Sequence, residues 1–172
     1  MILPEVISNF NVYDYNNNKL IGVSGEVSLA EISAVTATIS GAGLLGDMDL
    51  PVIGQMGSIE QAVPFNVLNG DVFDFFKLNK PISLVLRGDV QSTDTATGEF
   101  KHNGMKITWR GYVKKITPGK VKAAEAMGAS VTLELVYIHI RFDNKTVLKI
   151  DKMNSVFQIG NEDLLAEIKK NC

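Results

Sequence analysis

Few residues in this sequence have the types and spacing that cofactor binding, metal ligation or catalysis would need. Gly41-Ala42-Gly43-Leu44-Leu45-Gly46 spells GxGxxG, the pattern that brings a dinucleotide pyrophosphate against the N-terminus of a following helix. An alternating run before it supplies the strand. The stretch after it supplies no helix, because Pro51 and Gly54 interrupt it, and Asp47 and Asp49 would repel a phosphate. The glycines therefore read as a loop that allows positive φ or close backbone approach. His102 and His139 are the two histidines, and neither has a carboxylate or serine at the spacing of a metal site or a triad. Both read as structural. Trp109, Arg110 and Tyr112 could stack a base and hold a phosphate. On a strand, such a cluster reads better as core plus solvated face. Lys114, Lys115, Lys120 and Lys122, diluted by Glu125, read as a solvated loop. No catalytic constellation, cofactor site or metal site is expected.

The elements that position these residues are mostly strands, recognised by period-two alternation. Leu20, Ile21, Val23, Val27 and Leu29 predict one strand over 19–29. Val35, Ala37 and Ile39 share a face opposite Thr36 and Thr38. Ile59, Val63, Phe65 and Val67 point together, with Gln61 as the exception. Ile82, Leu84 and Leu86 form another stripe, as do Met105, Ile107 and Trp109, with Val113 resuming after Gly111. Val131, Leu133, Leu135 and Tyr137 oppose a face that runs from Ser130, Thr132 and Glu134 into Val136, Ile138, Ile140 and Phe142. That last strand is expected to be covered on both sides at its far end.

Two short helices are predicted. Asn69-Gly70-Asp71 can cap one that carries Val72, Phe73, Phe75 and Phe76 and stops before Pro81. Asn161 can cap another, with Glu162 and Asp163 in its first turn, Lys169 and Lys170 in its last, and Leu164, Leu165 and Ile168 on its apolar side. Three long loops are expected: 41–57, 92–104 with a hairpin turn at Thr97-Gly98, and 117–128. Loops of this length in a compact domain are usually functional or disordered.

A chain of 172 residues fits a single domain, 1–172, that buries roughly 70% of its extended-chain surface. Its 17 basic and 19 acidic residues give a formal charge of −2, which provides no drive toward nucleic acid or an anionic membrane. The one cysteine, Cys172, permits no disulfide within a chain and fits a reducing compartment. The first residues lack a basic-then-apolar secretory pattern, and no run reaches the roughly 20 apolar residues of a membrane span. Composition and pattern together describe an all-β scaffold to which two short helices and long loops are added.

Several segments, in order, resemble the major tail tube proteins of contractile-tailed bacteriophages. Val27-Ser28-Leu29-Ala30-Glu31-Ile32 resembles the family's early V-x-L-P-x-I strand, with Ala30 for proline. Gly41 to Gly46 resembles its glycine-rich element, with Leu44 for methionine. Leu86-Arg87-Gly88 and Trp109-Arg110-Gly111 resemble its hydrophobic-Arg-Gly strands, and Pro118-Gly119-Lys120 the loop that follows. Tyr137, Asp143-Asn144-Lys145, Lys149-Ile150-Asp151, Asn154 and Gly160-Asn161-Glu162-Asp163 follow its C-terminal pattern, with Asn144 for glycine and Gly160-Asn161 in reversed order.

The resemblance implies a structural subunit, not an enzyme, with a mainly β fold: an antiparallel β-sandwich or half-barrel with one or two short helices and long inter-ring loops. Its copies form hexameric rings, and the rings stack as the inner tube of a contractile tail, the conduit for DNA ejection. It implies assembly in the host bacterial cytoplasm and residence in the virion tail. The implied partners are further copies of the chain, the tail sheath protein, a tape measure protein in the lumen, and baseplate, initiator and terminator proteins. DNA would pass transiently without specific binding, and no membrane is involved. The long loops are then the natural ring-to-ring contacts, through Gly41, Gly43, Leu44, Leu45, Gly46, Met48, Leu50 and Pro51 in the first and Pro118 and Lys120 in the third. They are expected to be mobile in a free subunit and ordered in the tube. The alternatives are the tube of a phage-tail-like bacteriocin, a type VI secretion-like ring, or a monomeric small-ligand-binding β-barrel.

Overall fold

The computed structural model describes residues 1–70, 73 and 76–172. The strands are β1 (Ile2–Asp14), β2 (Ala34–Ile39), β3 (Met48–Met56), β4 (Glu60–Phe65), β5 (Ile82–Asp94), β6 (Phe100–Thr117), β7 (Ala129–Phe142), β8 (Lys145–Asp151), β9 (Val156–Ile159) and β10 (Glu162–Asp163), followed by helix α1 (Ala166–Asn171). All the strand pairings are antiparallel. The main sheet runs β1-β5-β6-β7-β8-β9-β10, and β4 joins it on β7. β7 is thus the fork. Its first half pairs with β4 and its second half with β8, while β6 lies along its other edge. β2 and β3 form a separate two-stranded hairpin. The molecule is mainly β and antiparallel, as the sequence pattern requires.

The alternating stripes place the core. Ile82, Leu84 and Leu86 on β5, Ile107, Trp109 and Val113 on β6, and Val131, Leu133 and Leu135 on β7 are buried together with Val12, Val63, Phe65, Ile138 and Ile150. Long strands of β-branched and aromatic residues fit this pleated, one-side-buried surface.

Gly111 decides how β6 crosses β7. A Cβ there would lie 2.1 Å from the Glu134 carbonyl oxygen, a clash that no side-chain movement relieves. The register shifts at this point, so that Arg110 opposes Tyr137 while Gly111 opposes Leu135. Val136 is the extra residue, a β-bulge. The bulge overturns one expectation. Beyond it the inward stripe continues as Ile138, not Tyr137, while Tyr137, His139 and Arg141 take the opposite, half-exposed face. The far end of β7 is therefore apolar on one face only.

Other expectations are corrected in the same way. Residues 19–29 form no ladder strand. They contribute only isolated bridges, Tyr13 with Lys19 and Val23 with Phe65, although Leu20, Val23 and Val27 do pack on the core. What holds the following segment is Gln61, the polar exception in the β4 stripe. It is fully buried, its Oε1 accepts from the Ala30 amide at 2.9 Å, and its Nε2 donates to the Ser28 and Ala62 carbonyls at 2.8 and 2.7 Å. Val67, read as part of that stripe, is exposed.

The predicted loop 41–57 is largely strand: β3 occupies 48–56, and only the turn before it is loop. Pro51 is tolerated because the hairpin is solvent-exposed on both sides and opposes Pro51 only to Thr36. Within 92–104 the expected hairpin is present. β5 and β6 turn through residues 95–99, with the Gly98 amide donating to the Asp94 carbonyl at 2.7 Å.

Asn161 caps no helix. Glu162 and Asp163 pair with Ile159 and Gln158, and α1 starts later, with the Leu165 amide donating to Asp163 Oδ1 at 3.1 Å. The helix predicted from Asn69 falls largely on residues outside those described. Of its aromatic residues, Phe76 is buried edge-on against Phe65, with centroids 5.9 Å apart.

Two substitutions test this account. Gln61→Leu would leave the Ala30 amide and the Ser28 carbonyl without their partner and should destabilise the fold by about 1–3 kcal/mol in denaturant titration. Gly111→Ala should cost more than about 3 kcal/mol, and a wild-type unfolding midpoint would show that the carbonyl approach does not control the crossing.

Candidate assembly surfaces

The residues that could have carried chemistry are placed as structure. GxGxxG forms the β2–β3 turn, with the Leu44 amide donating to the Gly41 carbonyl at 3.2 Å, and a strand follows it where the dinucleotide motif needs a helix. His102 Nδ1 lies 2.6 Å from Asp89 Oδ2 at the surface. His139 sits between the Tyr137 hydroxyl at 3.3 Å and the Thr146 hydroxyl at 2.9 Å. Burial first, then the charges of Arg141, Lys149 and Lys106, lowers its pKa below the ordinary histidine value. Among the described residues no cluster of three or more His, Cys, Asp or Glu is placed to hold a metal ion. Trp109 is core, and Arg110 lies over the Tyr137 ring at 5.1 Å on the opposite face.

The conspicuous feature is the β2–β3 hairpin. Its register opposes Ile39 to Met48 and Ala37 to Leu50 on one face, and Thr38 to Asp49 and Thr36 to Pro51 on the other. Thr38 Oγ1 donates to Asp49 Oδ1 at 2.6 Å on the polar face. The apolar face is left in solvent: Val35, Ile39, Met48, Leu50 and Val52 are all exposed. An isolated hairpin is marginal in water, and a contiguous apolar face of this kind marks an interaction surface.

The base of the hairpin is fixed even though its blade is bare. Between Thr36–Pro51 and Ala34–Met56, β3 carries extra residues. Gly54 turns there at φ +93°, and a Cβ on it would come 3.3 Å from Ile168 Cδ1 and 3.7 Å from Leu165 Cδ2. The bulge therefore rests on α1 and the residue before it. The Gly57 amide donates to the Ser33 carbonyl at 3.0 Å, and Lys152 Nζ donates to the Gly57 carbonyl at 2.8 Å. Next to it, Glu134 accepts from the Ser58 hydroxyl at 2.6 Å and lies between Lys114 and Lys152. Burial alone would raise the Glu134 carboxyl. The Ser58 hydroxyl, the Ile59 amide, Lys152 and Lys114 outweigh it and hold the group below the ordinary glutamate value.

The structure brings eight of the ten sequence-selected contact residues into this one element. Gly41, Gly43, Leu44, Leu45 and Gly46 form its turn, and Met48, Leu50 and Pro51 lie on β3. Pro118 and Lys120 belong elsewhere, in the β6–β7 connection. There the Lys120 amide donates to the Met127 carbonyl, and the Met127 amide to the Asn66 carbonyl.

A second bare surface escapes the sequence reading. β1 is the edge of the main sheet, and Ile2, Leu3, Val6 and Ile7 on its first half are each about half-exposed. The available signal was the alternation of Phe10 and Val12 with Asn9, Asn11 and Tyr13, which extends back into an apolar N-terminal segment.

Glu134 gives the hairpin base a pH dependence. Its folded value is depressed, so its contribution is complete above the unfolded glutamate value and is lost as pH falls through the folded one. Acidification to below the ordinary glutamate value of 4.5 should loosen the hairpin before the core, seen as increased backbone mobility of residues 34–57 in NMR relaxation. Uniform loosening of hairpin and core would contradict this.

Comparison with known proteins places the chain in a family. The sequence model of the family described as "Phage tail tube protein FII" matches residues 4–172. The tail tube protein of Escherichia phage P2 is 24% identical over 178 aligned positions, covering 99% of this chain and 98% of that one. The major tail tube protein of Serratia phage KSP20 is 22% identical, covering 95% of this chain and 92% of that one. The chain belongs to the phage tail tube protein FII family, structural components of the bacteriophage tail and not enzymes.

Proposed function

We propose that this chain polymerises with copies of itself into hexameric rings that stack as the inner tube of a contractile tail, the conduit for DNA ejection. The sheath protein surrounds that tube, a tape measure protein occupies its lumen during assembly, and initiator and terminator proteins bound its ends. The observation that carries this reading is the β2–β3 hairpin, an ordered blade with a fixed base and an unpartnered apolar face. Burying that face against a neighbouring copy would contribute on the order of several kcal/mol per subunit, at about 25 cal/mol per Å² of apolar surface. The outer edge of the first half of β1 offers a second junction, since an exposed strand edge pairs with another strand when one is available. Heterologous contacts of this kind close into a ring when the rotation between copies allows it. In this arrangement Gly41, Gly43, Leu44, Leu45, Gly46, Met48, Leu50 and Pro51 meet one neighbour through the hairpin, and Pro118 and Lys120 meet another.

A bacteriocin tube or a type VI secretion-like ring would use the same surfaces. Against the ligand-binding barrel stands the filled interior, in which Trp109, Phe65, Leu84 and Leu133 are completely buried.

The double variant Ile39→Asn with Leu50→Asn changes only exposed positions and should leave folding stability within about 0.5 kcal/mol. It should yield folded subunits that form no tubes under conditions where the parent chain does, by negative-stain microscopy and sedimentation. A parent chain that stays monomeric at high concentration, or normal tubes from the variant, would overturn the proposal.

A further inference from the structure

The solvent face of the main sheet, opposite the core, carries a concentrated patch of cations. The register sets Arg87 on β5 directly opposite Lys106 on β6, and Lys106 directly opposite Arg141 on β7. One row along the strands, Lys149 on β8 opposes His139. One row further, Arg110 opposes Tyr137. Strands about 4.8 Å apart and rows about 6.7 Å apart put these five cations in an area roughly 15 Å on a side. The chain as a whole is net acidic, so this is segregation of charge and not a reflection of composition.

None of the five is within ion-pair distance of a carboxylate among the described residues, although Lys101, Lys114, Lys122, Lys152 and Lys169 all are. Arg87 spends its guanidinium on the Tyr13 ring at 4.6 Å and on Asn17 Oδ1 at 2.5 Å. Arg141 Nε is buried with no hydrogen-bond partner among the described residues. Like charges directly opposite one another destabilise a sheet, and here three stand in line. Burial first, then the guanidiniums of Arg141 and Arg87, holds Lys106 below the ordinary lysine value. The row is a cost in the isolated subunit that a matching anionic surface would remove.

We infer that this face, centred on Arg87, Lys106 and Arg141, docks against the acidic surface of another polypeptide. A protein surface fits it better than a nucleic acid for two reasons. The patch is closed along the strands, by Asp89 and Asp143 past the first row and by Asp151 beside Tyr137, so a continuous line of phosphates following the strands would meet carboxylates at both ends. The aromatic rings that could stack bases, Tyr13 and Tyr137, are already covered by Arg87 and Arg110, whereas single-strand binding relies on free aromatic platforms. Arginine forks match discrete carboxylates in bidentate geometry. The inference goes beyond the tube reading and does not depend on it, because the patch lies on neither the hairpin nor the β1 edge.

The test uses the full chain and two fluorescent probes at low salt, poly-glutamate and duplex DNA, followed by anisotropy. Poly-glutamate should bind more tightly than DNA, with affinity falling as salt rises. It should bind roughly tenfold more weakly, or worse, to the Arg87→Gln, Lys106→Gln, Arg141→Gln triple variant. Lys106→Gln alone relieves the like-charge row, should melt no lower than the parent, and should weaken poly-glutamate binding measurably. That single variant keeps the test decisive if the triple variant folds poorly. Preference for DNA, absence of poly-glutamate binding, or unchanged binding by the variants would each overturn the inference. Loss of tube formation by the hairpin variant bears only on the tube reading, so the two failures are separable.

Discussion

One backbone contact organises this molecule: the Glu134 carbonyl oxygen occupies the space that any side chain at residue 111 would need. Because position 111 is glycine, β6 and β7 can cross there with a bulged residue, and the bulge reverses the faces of β7. On one side of the crossing Val131, Leu133 and Leu135 fill the core. On the other, Ile138 continues inward and Tyr137, His139 and Arg141 turn out. Without the reversal, Ile138 and Ile140 would face solvent and the basic row would have no third member. The Glu134 side chain, at the same crossing, accepts from Ser58 and stands beside Lys114 and Lys152. A single tight approach thus connects the core, the root of the hairpin and the charged face.

Around that crossing the subunit divides into a finished part and an unfinished part. The core cluster is closed, and the fully buried Gln61 side chain beside it has both polar atoms engaged, although the buried Trp109 Nε1 has no hydrogen-bond partner among the described residues. The hairpin face and the first half of β1 are the opposite, apolar and bare. A sheet edge with unpaired backbone is a hazard in a protein meant to remain alone and an asset in one meant to polymerise. The rigid root and the exposed blade of β2–β3 suit a component that presents a preorganised surface, since ordering a contact segment beforehand lowers the entropy cost of association.

The two kinds of exposed surface differ in physics as well as position. The hairpin offers non-directional apolar area, whose contribution scales with contact. The basic face offers charges whose contribution depends on the sign and placement of what meets them, and which salt screens over about 10 Å. The first therefore responds to contact area and the second to salt.

What the sequence determined alone was the alternation of apolar and polar residues. That alternation gives mainly β structure, the stripes on β5, β6 and the first half of β7, and the absence of a helix after Gly46. These are local properties: a strand's period of two and a proline's missing amide act within a few residues. The fragments resembling tail tube proteins were legible for the same reason, as ordered short patterns, and so was the turn from Gly41 to Gly46. Tertiary structure decided the rest. That 48–56 is strand depends on pairing with 34–39, and that 19–29 is not depends on what β4 and Gln61 offer it. The facing of Tyr137, His139 and Arg141 depends on one bulge whose cause, the room left by Gly111, lies on another strand. The alignment of Arg87, Lys106 and Arg141 joins residues up to 54 positions apart. Register between strands is fixed by packing across the whole sheet, and no window of the sequence contains it.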